Sequence, residues 1–341
     1  HSYSSAASDV YKRQLMNHPK ASPKYAARLN AFKSLANNRG ILGMIEAAGL
    51  VDGMDAADLN FPDHISSTEE KDIIKALNDN GLKLNGLAMR YYSEPAFALG
   101  AFTNPNKLIR QKAIDLTKRG IDTLQRMSGD VMTLWMGQDG FDYPMQADYS
   151  SMWENTVDAL DQVTAHDPNC KIAIEYKPNE PRANALLHNM ATTLLAIREI
   201  GADNIGVTID FAHILYAGEM PAFSAFLANR YSKIFGIHLN DGYGKRDDGL
   251  MAGTINPVAT VELFIQLKKL NYEGVIYFDT FPDHSGLNPI EESNTNILIV
   301  NRLKKIAHDL YQNTELNRAI ERQDATISQR LIAQELYGNK K

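Results

Sequence analysis

The sequence predicts a single (β/α)₈ TIM barrel followed by a C-terminal helical extension. Three observations support this fold class. Short apolar runs alternate with longer segments whose apolar residues recur at helical spacing, and eight such runs can be counted in 341 residues, as a closed parallel barrel requires. A doubly wound open sheet is the rival, but no Gly-x-Gly-x-x-Gly follows any run, so a dinucleotide site has no support.

The predicted strands are residues 25–32, 53–61, 82–89, 131–137, 171–175, 205–210, 234–238 and 275–279. Helices with apolar residues 3.6 positions apart are predicted at residues 107–119, 151–165, 183–200, 258–270 and 291–311. Each of four glycines stands between a predicted helix and the next predicted strand, where a C-terminal helix cap is expected. These glycines are Gly81, Gly120, Gly201 and Gly274.

The chain divides into three predicted parts. Residues 1–15 look like a non-native or disordered tail, because they lack an initiator Met and any apolar period, and Met16 is then a candidate native start. Residues 16–312 form the barrel domain. Residues 313–341 are predicted to be one amphipathic helix, which either packs on the outer wall of the barrel or makes a subunit contact.

Composition excludes several classes of function. The balance of 35 basic against 41 acidic residues gives a net charge of −6, which argues against a general role at nucleic acids or membrane surfaces. Cys170 is the single cysteine, so a disulfide framework is excluded and a reducing compartment, the cytoplasm, is expected. No apolar run approaches the roughly 18 residues of a transmembrane helix.

Four consecutive predicted strands end in side chains that bind metals. These are Glu175, Asp210, His238 and Asp279. The carboxyl ends of barrel strands meet at one rim, where barrel enzymes build their active sites, and carboxylates with imidazole suit Mg²⁺, Mn²⁺ or Co²⁺. The alternative for a lone Asp is a helix N-cap, and for a lone His a structural core position. The joint pattern favours a metal site.

A second ion could share Asp210. His213 follows three residues later, and Asp247 with Asp248 lies in the long loop after the seventh predicted strand. Lys177, two residues after Glu175, would stand at the same rim.

Three segments resemble the xylose isomerase-like barrel superfamily, and within it the bacterial L-rhamnose isomerase-type enzymes. They are Glu175-Tyr-Lys-Pro-Asn-Glu-Pro, Asp210-Phe-Ala-His and His238-Leu-Asn-Asp-Gly-Tyr-Gly-Lys-Arg-Asp-Asp-Gly-Leu. Leu134-Trp-Met-Gly-Gln-Asp-Gly-Phe-Asp-Tyr is similar to the family's fourth-strand Trp segment, and Glu94-Pro-Ala-Phe to its third-strand loop. The likeness covers roughly residues 24 to 312.

The resemblance implies a set of roles. It implies a first metal on Glu175, Asp210, His238 and Asp279, and a second on Asp210, His213, Asp247 and Asp248. It implies Lys177, Glu175 and Asp247 as the catalytic group, with Lys177 near the carbonyl oxygen of the substrate. Trp135, Phe141 and Tyr143 would line the sugar pocket, and Glu94 stands where xylose isomerases carry a ring-opening His. The expected cofactor is one or two divalent ions per chain, Mn²⁺ first, with Mg²⁺ or Co²⁺ as the other candidates.

The function predicted is an aldose–ketose isomerase that acts on a free monosaccharide by a metal-assisted 1,2-hydride shift. One alternative is a single-metal ketose 3-epimerase with Glu175 and Asp279 as proton donor and acceptor; another is a sugar-binding barrel without catalysis. A zinc endonuclease would need more imidazole ligands and a basic face. No Gly-rich phosphate cradle is visible, which favours a free sugar over a phosphorylated one. The family likeness also implies a homo-oligomer, a dimer or a tetramer.

Overall fold

The computed structural model describes residues 24–338, so the predicted tail of residues 1–15 and Met16 lie outside the described residues. Eight parallel strands form a closed barrel in which β1 pairs with both β2 and β8. The strands are β1 (Tyr25–Arg28), β2 (Ala56–Phe61), β3 (Lys83–Met89), β4 (Val131–Leu134), β5 (Lys171–Ile174), β6 (Ile205–Asp210), β7 (Ile234–Leu239) and β8 (Ile276–Phe278). The predicted (β/α)₈ barrel is confirmed.

The strands form where the chain is apolar on both faces. Every residue of β6 is buried, as expected for a parallel strand covered by helices outside and by the barrel core inside. Two strands end three or more residues earlier than predicted. At Leu29 the chain turns into the 3-10 helix Leu29–Leu35, and β4 ends at Leu134 rather than at residue 137.

Helices cover the outside of the barrel. They are α1 (Gly40–Ala48), α2 (Glu70–Asp79), α3 (Lys107–Arg126), α4 (Tyr149–His166), α5 (Met190–Ile200), α6 (Phe211–Tyr216), α7 (Pro221–Tyr231), α8 (Pro257–Lys269), α9 (Pro282–Ser285), α10 (Pro289–Tyr311), α11 (Thr314–Glu321) and α12 (Ala325–Tyr337). Short 3-10 helices occupy Tyr91–Ser93 and Pro95–Phe97, and a two-stranded antiparallel ribbon joins Gly140–Phe141 to Asn184–Ala185. None of the described helices is long and apolar enough to cross a membrane.

Gly120 is not a helix cap, contrary to prediction. The helix α3 continues for six residues beyond it, to Arg126. A Cβ at Gly120 would lie 3.0 Å from both the Met132 methyl carbon and the Met89 sulfur, so the glycine lets α3 approach the barrel closely. Gly201, with φ +70, does cap α5 as predicted.

The C-terminal extension is two helices, so the prediction of one continuous helix is wrong. The chain breaks between α11 and α12, where Gln323 has φ +55 and the Asp324 side chain accepts a hydrogen bond from the Ile327 amide at 3.1 Å. Leu316 and Leu331 are buried, and both helices contact α10. This packing fits the outer-wall alternative.

Candidate metal centre

The four predicted strand-end side chains meet at the carboxyl end of the barrel. Asp210 and His238 lie on β6 and β7, and Glu175 and Asp279 directly follow β5 and β8. One ligand atom from each lies within 4.8 Å of the others. Three of the four residues are buried, and Asp279 is nearly so. We call Glu175, Asp210, His238 and Asp279 the strand-end cluster.

Sheet pairing holds the cluster in place. Asp210 is in register with His238 across β6 and β7. The Glu175 amide donates to the Leu134 carbonyl at 3.0 Å and the Asp279 amide to the Leu239 carbonyl at 3.2 Å, so the sheet bonding continues past both strands. The carboxylates therefore stand on rigid backbone.

Asp210 also caps a helix, as the alternative interpretation of a strand-end Asp expects. Its Oδ1 accepts a hydrogen bond from the His213 amide at 2.9 Å, at the start of α6. Asn240 Nδ2 donates to both Asp210 oxygens at 3.2 Å. These bonds fix the orientation of the carboxylate toward the cluster.

Burial and mutual charge shift the cluster's protonation. Burial raises the pKa of Asp210 to about 7, against the attraction of His213. Burial works to lower the pKa of His238, but the Glu175 carboxylate outweighs it and raises that pKa to about 9. Burial likewise works to raise the pKa of Glu175, which nevertheless falls because His238 is so close. The cluster thus requires positive charge, as protons or as a cation.

The cluster fits a divalent cation. His238 Nδ1 is buried and makes no hydrogen bond, although it lies 3.3 Å from Glu175 Oε1 and 3.8 Å from Asp279 Oδ2. A ligand nitrogen left facing two carboxylates is satisfied if a cation lies between them. The donor set of three carboxylates and one imidazole suits Mg²⁺, Mn²⁺ or Co²⁺.

A second row of charges lies beside the cluster. Asp247 Oδ2 is 3.1 Å from both His213 Nε2 and Lys177 Nζ, and Lys177 Nζ is 3.0 Å from Glu180 Oε2. His213 Nδ1 lies 3.6 Å from Glu175 Oε1, which connects the row to the cluster. We call His213, Asp247 and Lys177 the charged row.

The charges in this row reinforce one another. Burial works to lower the pKa of Lys177, but Asp247 and Glu180 outweigh it and raise that pKa, so the ammonium persists. Burial works to raise the pKa of Asp247, yet His213 and Lys177 bring it well below its usual range. The second oxygen, Asp247 Oδ1, is buried without a hydrogen-bond partner in the described residues.

The Asp248 carboxylate, unlike that of Asp247, is hydrogen-bonded within its own loop. One of its oxygens accepts from the Tyr243 amide and the other from Arg246 Nε, both at 2.8 Å. The next residue, Gly249, has φ +58, a conformation that side chains rarely adopt, and a Cβ there would collide with Phe281. A metal ligand at Asp248 stays a prediction, without contacts that support it.

The predicted pocket residues are distributed unevenly. Trp135 is half-buried beside Lys177, whose Nζ lies 5.2 Å from its ring centre, and both line a cavity with Glu175. Phe141 packs on Tyr149 at 5.1 Å, whereas Tyr143 is 72% exposed.

Glu94 is not brought into the cluster. Its exposed carboxylate pairs with Lys112 at 3.0 Å.

A family model described as the xylose isomerase-like TIM barrel matches residues 42–300, more than half of the sequence. The chain belongs to this family. The xylose isomerase of Thermus thermophilus is 28% identical over 211 residues, which are 60% of this chain and 54% of that enzyme. The chain therefore spans about half the length of that relative.

Solved structures also resemble the barrel. A D-tagatose 3-epimerase-like protein superposes with a TM-score of 0.69 at 17% identity, over 84% of this chain and 98% of the other. The D-allulose 3-epimerase from Methylomonas sp. superposes with a TM-score of 0.65 at 17% identity, over 82% of this chain and 97% of the other. At these identities the likeness shows the fold alone.

Three contacts of this family member were not anticipated from its sequence. Arg28 Nε lies 3.3 Å from Asp279 Oδ1 and so orients a cluster carboxylate. Asn240 positions Asp210, and Glu180 pairs with Lys177. The position of Arg28 at a strand end was missed because the first strand was predicted to continue to residue 32. Asn240 and Glu180 lie within the segments that resemble the family, but they were not predicted to be site residues.

Divalent-cation affinity is expected to rise with pH between about 6 and 9. In the metal-free protein the pKa of His238 is about 9 and that of Asp210 about 7, so a cation must displace these protons. For each proton that is released, the apparent affinity increases by at most about tenfold per pH unit. Mn²⁺ titrations by calorimetry, in buffers of different ionisation enthalpy, count the protons. An affinity that does not change with pH would contradict this assignment.

Proposed function

We propose that the chain is a metal-dependent aldose–ketose isomerase acting on a free monosaccharide, of the L-rhamnose isomerase type within its family. The observation that carries this proposal is the charged row beside the strand-end cluster. An aldose becomes a ketose when the hydrogen on C2 moves to C1 with its electron pair and the O2 proton moves to O1. That reaction needs a group that polarises the carbonyl and a group that receives the O2 proton.

Lys177 and Asp247 fit these two needs. The Lys177 ammonium, kept charged by Asp247 and Glu180, would donate a hydrogen bond to the carbonyl oxygen, and a positioned donor in a dry site stabilises the charge that develops there. Asp247 Oδ1, which has no hydrogen-bond partner in the described part of the chain, would accept the O2 proton and return it to O1 as the hydride reaches C1. A bound divalent cation supplies Lewis-acid stabilisation of the same oxygens. Trp135 would exclude water from this side of the site.

The first metal would bind to the strand-end cluster, and Mn²⁺ is the proposed ion. His213, Asp210 and Asp247 are the proposed ligands of a second ion. His213 Nδ1 lies 3.9 Å from Asp210 Oδ1, and its Nε2 contacts Asp247. The Asp247 contact supports a site on His213 Nε2, whereas Asp210 faces the other ring nitrogen, which also lies 3.0 Å from the Tyr176 carbonyl oxygen. Asp248 is the least supported member of this site. The proposed location is the cytoplasm.

The second candidate is a ketose 3-epimerase. Glu175 and Asp279 both approach His238 Nδ1, at 3.3 and 3.8 Å, and such an enzyme needs two acidic side chains as proton acceptor and donor. The solved 3-epimerases with this fold favour it. Under this alternative, however, the charged row would have no catalytic role.

Turnover in D₂O separates the candidates. Mn²⁺- or Co²⁺-supplemented protein is offered rhamnose, xylose, fucose, lyxose, apiose and their ketoses, and the products are examined by NMR. The isomerase proposal expects an aldose–ketose pair with the C2 hydrogen retained in transfer to C1. Deuterium at C3 would establish the epimerase instead, and no turnover with bound sugar would indicate a non-catalytic barrel.

We further propose a homo-oligomer that forms through an apolar face on α5 and α7. Its members are Leu195, Met220, Phe223, Phe226 and Tyr231, which are 42–61% exposed. At about 200 Å² for a large side chain, they leave about 500 Å² of apolar surface. That area matches the apolar core of an interface that buries about 800 Å² per subunit.

The surrounding charges allow this face to meet a second copy of itself. Arg198 lies over the Tyr231 ring at 5.7 Å, and Glu199 is next to it on α5. A surface that carries both signs can satisfy a two-fold contact, whereas a surface of one sign would repel its copy.

Phe223→Glu is expected to convert the oligomer into monomers, because it places a charge in the centre of the apolar face. Light scattering coupled to gel filtration measures the mass, and circular dichroism checks the fold. Leu298→Glu is the control, since Leu298 is 71% exposed on α10, outside the face. Unchanged mass for Phe223→Glu, or a monomeric parent protein, would refute this interface.

A further inference from the structure

At the carboxyl end of the barrel, Arg90 is a half-buried cation whose side chain has no hydrogen-bonding partner among the described residues. It directly follows β3, and its amide donates to the Phe61 carbonyl at 2.9 Å. Within residues 24–338 its guanidinium makes no hydrogen bond and no ion pair, and its Nε is buried without an acceptor. By contrast, Arg28 at the end of β1 contacts Asp279, Asp283 and the Thr280 carbonyl.

Arg90 is the first of a series of cations and aromatic rings that lines one side of the barrel's carboxyl end. Its guanidinium carbon lies 4.4 Å from the centre of the Tyr92 ring, and Tyr92 meets Trp135 edge to face at 5.4 Å. The Trp135 ring in turn lies 5.2 Å from Lys177 Nζ. Arg90 therefore extends the wall that Trp135 and Lys177 begin, from the end of β5 to the end of β3.

The charges around Arg90 do not satisfy it. Among the charged groups that act on it, Asp279 and Asp63 attract the guanidinium and Arg28 opposes them. Asp279 belongs to the strand-end cluster and is already paired with Arg28, while Asp63 accepts a hydrogen bond from Ser93. A guanidinium removed from water without acceptors carries a desolvation cost that a ligand with oxygen acceptors would offset.

We propose that Arg90 is a specificity-determining residue that donates hydrogen bonds to oxygens at the non-reacting end of the substrate. This inference rests on the proposed function. Lys177 follows β5 and Arg90 follows β3, with only β4 between these strands in the barrel. A sugar whose reacting carbons lie at Lys177 would therefore extend along Trp135 and Tyr92 toward Arg90. The planar guanidinium can donate hydrogen bonds to two oxygens at once, either those of two sugar hydroxyls or those of the carboxylate of an acidic sugar.

Trp135 supplies a direct readout of binding. The sequence has two tryptophans, Trp135 and Trp153, and Trp153 donates to Glu199 on the outer helices at 2.8 Å. In a Trp153→Phe background the emission therefore reports on the Arg90 wall alone. The probes are xylitol and galactitol, open-chain polyols without a carbonyl, and gluconate, which adds a carboxylate. Titrations use Mg²⁺-supplemented protein.

Arg90→Gln is expected to weaken probe binding at least tenfold, and Arg90→Lys, which keeps the charge but loses the fork, by a smaller factor. Arg126→Gln is the control, because that guanidinium lies on the outer surface of α3, where it pairs with Glu70. A loss for gluconate alone would identify a carboxylate as the recognised group, and a loss for all three probes would identify hydroxyls.

Two other outcomes have separate meanings. If the parent protein binds the probes and Arg90→Gln binds them equally well, the inference about Arg90 is overturned while the proposed function stands. If the parent protein binds none of the probes, the sugar site itself is misassigned and the proposed function fails with it. The Lys variant keeps the test valid where the Gln variant is poorly folded.

Discussion

Glu175→Gln is expected to abolish both divalent-cation binding and turnover. Glu175 is the carboxylate nearest to His238, with Oε1 at 3.3 Å from Nδ1, and it also faces His213 at 3.6 Å. The amide keeps the size of the side chain and removes its charge. Losing one of the three carboxylate ligands should weaken cation affinity by at least about 100-fold, since removal of supporting groups that do not touch the metal already costs about 10–100-fold.

The metal-free variant provides a second readout. Because the Glu175 carboxylate raises the pKa of His238 to about 9, its loss should bring that pKa down, and NMR titration of the imidazole would detect the fall. Mn²⁺ binding by electron paramagnetic resonance and the D₂O turnover assay complete the measurement. Glu199→Gln, the same substitution on the outer surface of α5, should leave all three readouts unchanged. Full activity of Glu175→Gln would mean that the metal site has been misplaced.

The strand-end cluster was predictable because each of its members stands at the end of an apolar run. Barrel topology then brings the four ends to one rim without further information. The prediction for Glu175 depended only on a strand that ends close to it, and β5 ends at Ile174. An error of one or two residues at a strand end moves such a side chain little, so the prediction tolerates inexact boundaries.

The loop residues were harder to predict, because hydrogen bonds within a loop decide which way a side chain points. Asp247 and Asp248 are adjacent and chemically identical, yet Asp247 contacts Lys177 while Asp248 binds the Tyr243 amide and Arg246. Asp241, nearer the start of the same loop, accepts hydrogen bonds from the Ile255 and Asn256 amides and so holds the loop. Nothing in the local sequence pattern distinguishes these three aspartates.

Long-range packing accounts for the remaining errors. From the sequence alone, Gly120 has the position of a helix cap. The structure shows instead that Met89 and Met132, on two different strands, require a small residue there. The unpaired guanidinium of Arg90 is likewise invisible in the sequence, because an absent partner can be recognised only in three dimensions. Sequence periodicity therefore predicts the scaffold and the strand-end cluster, whereas contacts between distant segments determine the surroundings of residues such as Gly120 and Arg90.

Lys177→Met is expected to lower kcat by about 10³-fold while first-metal binding is retained. Methionine keeps the aliphatic volume against the Trp135 ring but removes the ammonium, and loss of one positioned donor at a developing oxyanion costs about 10²–10³ in rate. The strand-end cluster does not include Lys177, so Mn²⁺ should still bind there. Turnover and Mn²⁺ binding, measured on the same preparation, separate the two effects.

The same variant decides between the two proposed reactions. Lys112→Met is the matched control, because Lys112 also pairs with a glutamate at 3.0 Å and lies over a ring, that of Phe97, at 5.7 Å, but on the exposed side of α3. An epimerase that works through Glu175 and Asp279 has no need of an ammonium at Lys177. If Lys177→Met retained parental turnover, the charged row would be structural, and the two carboxylates flanking His238 would be the better candidates for the chemistry.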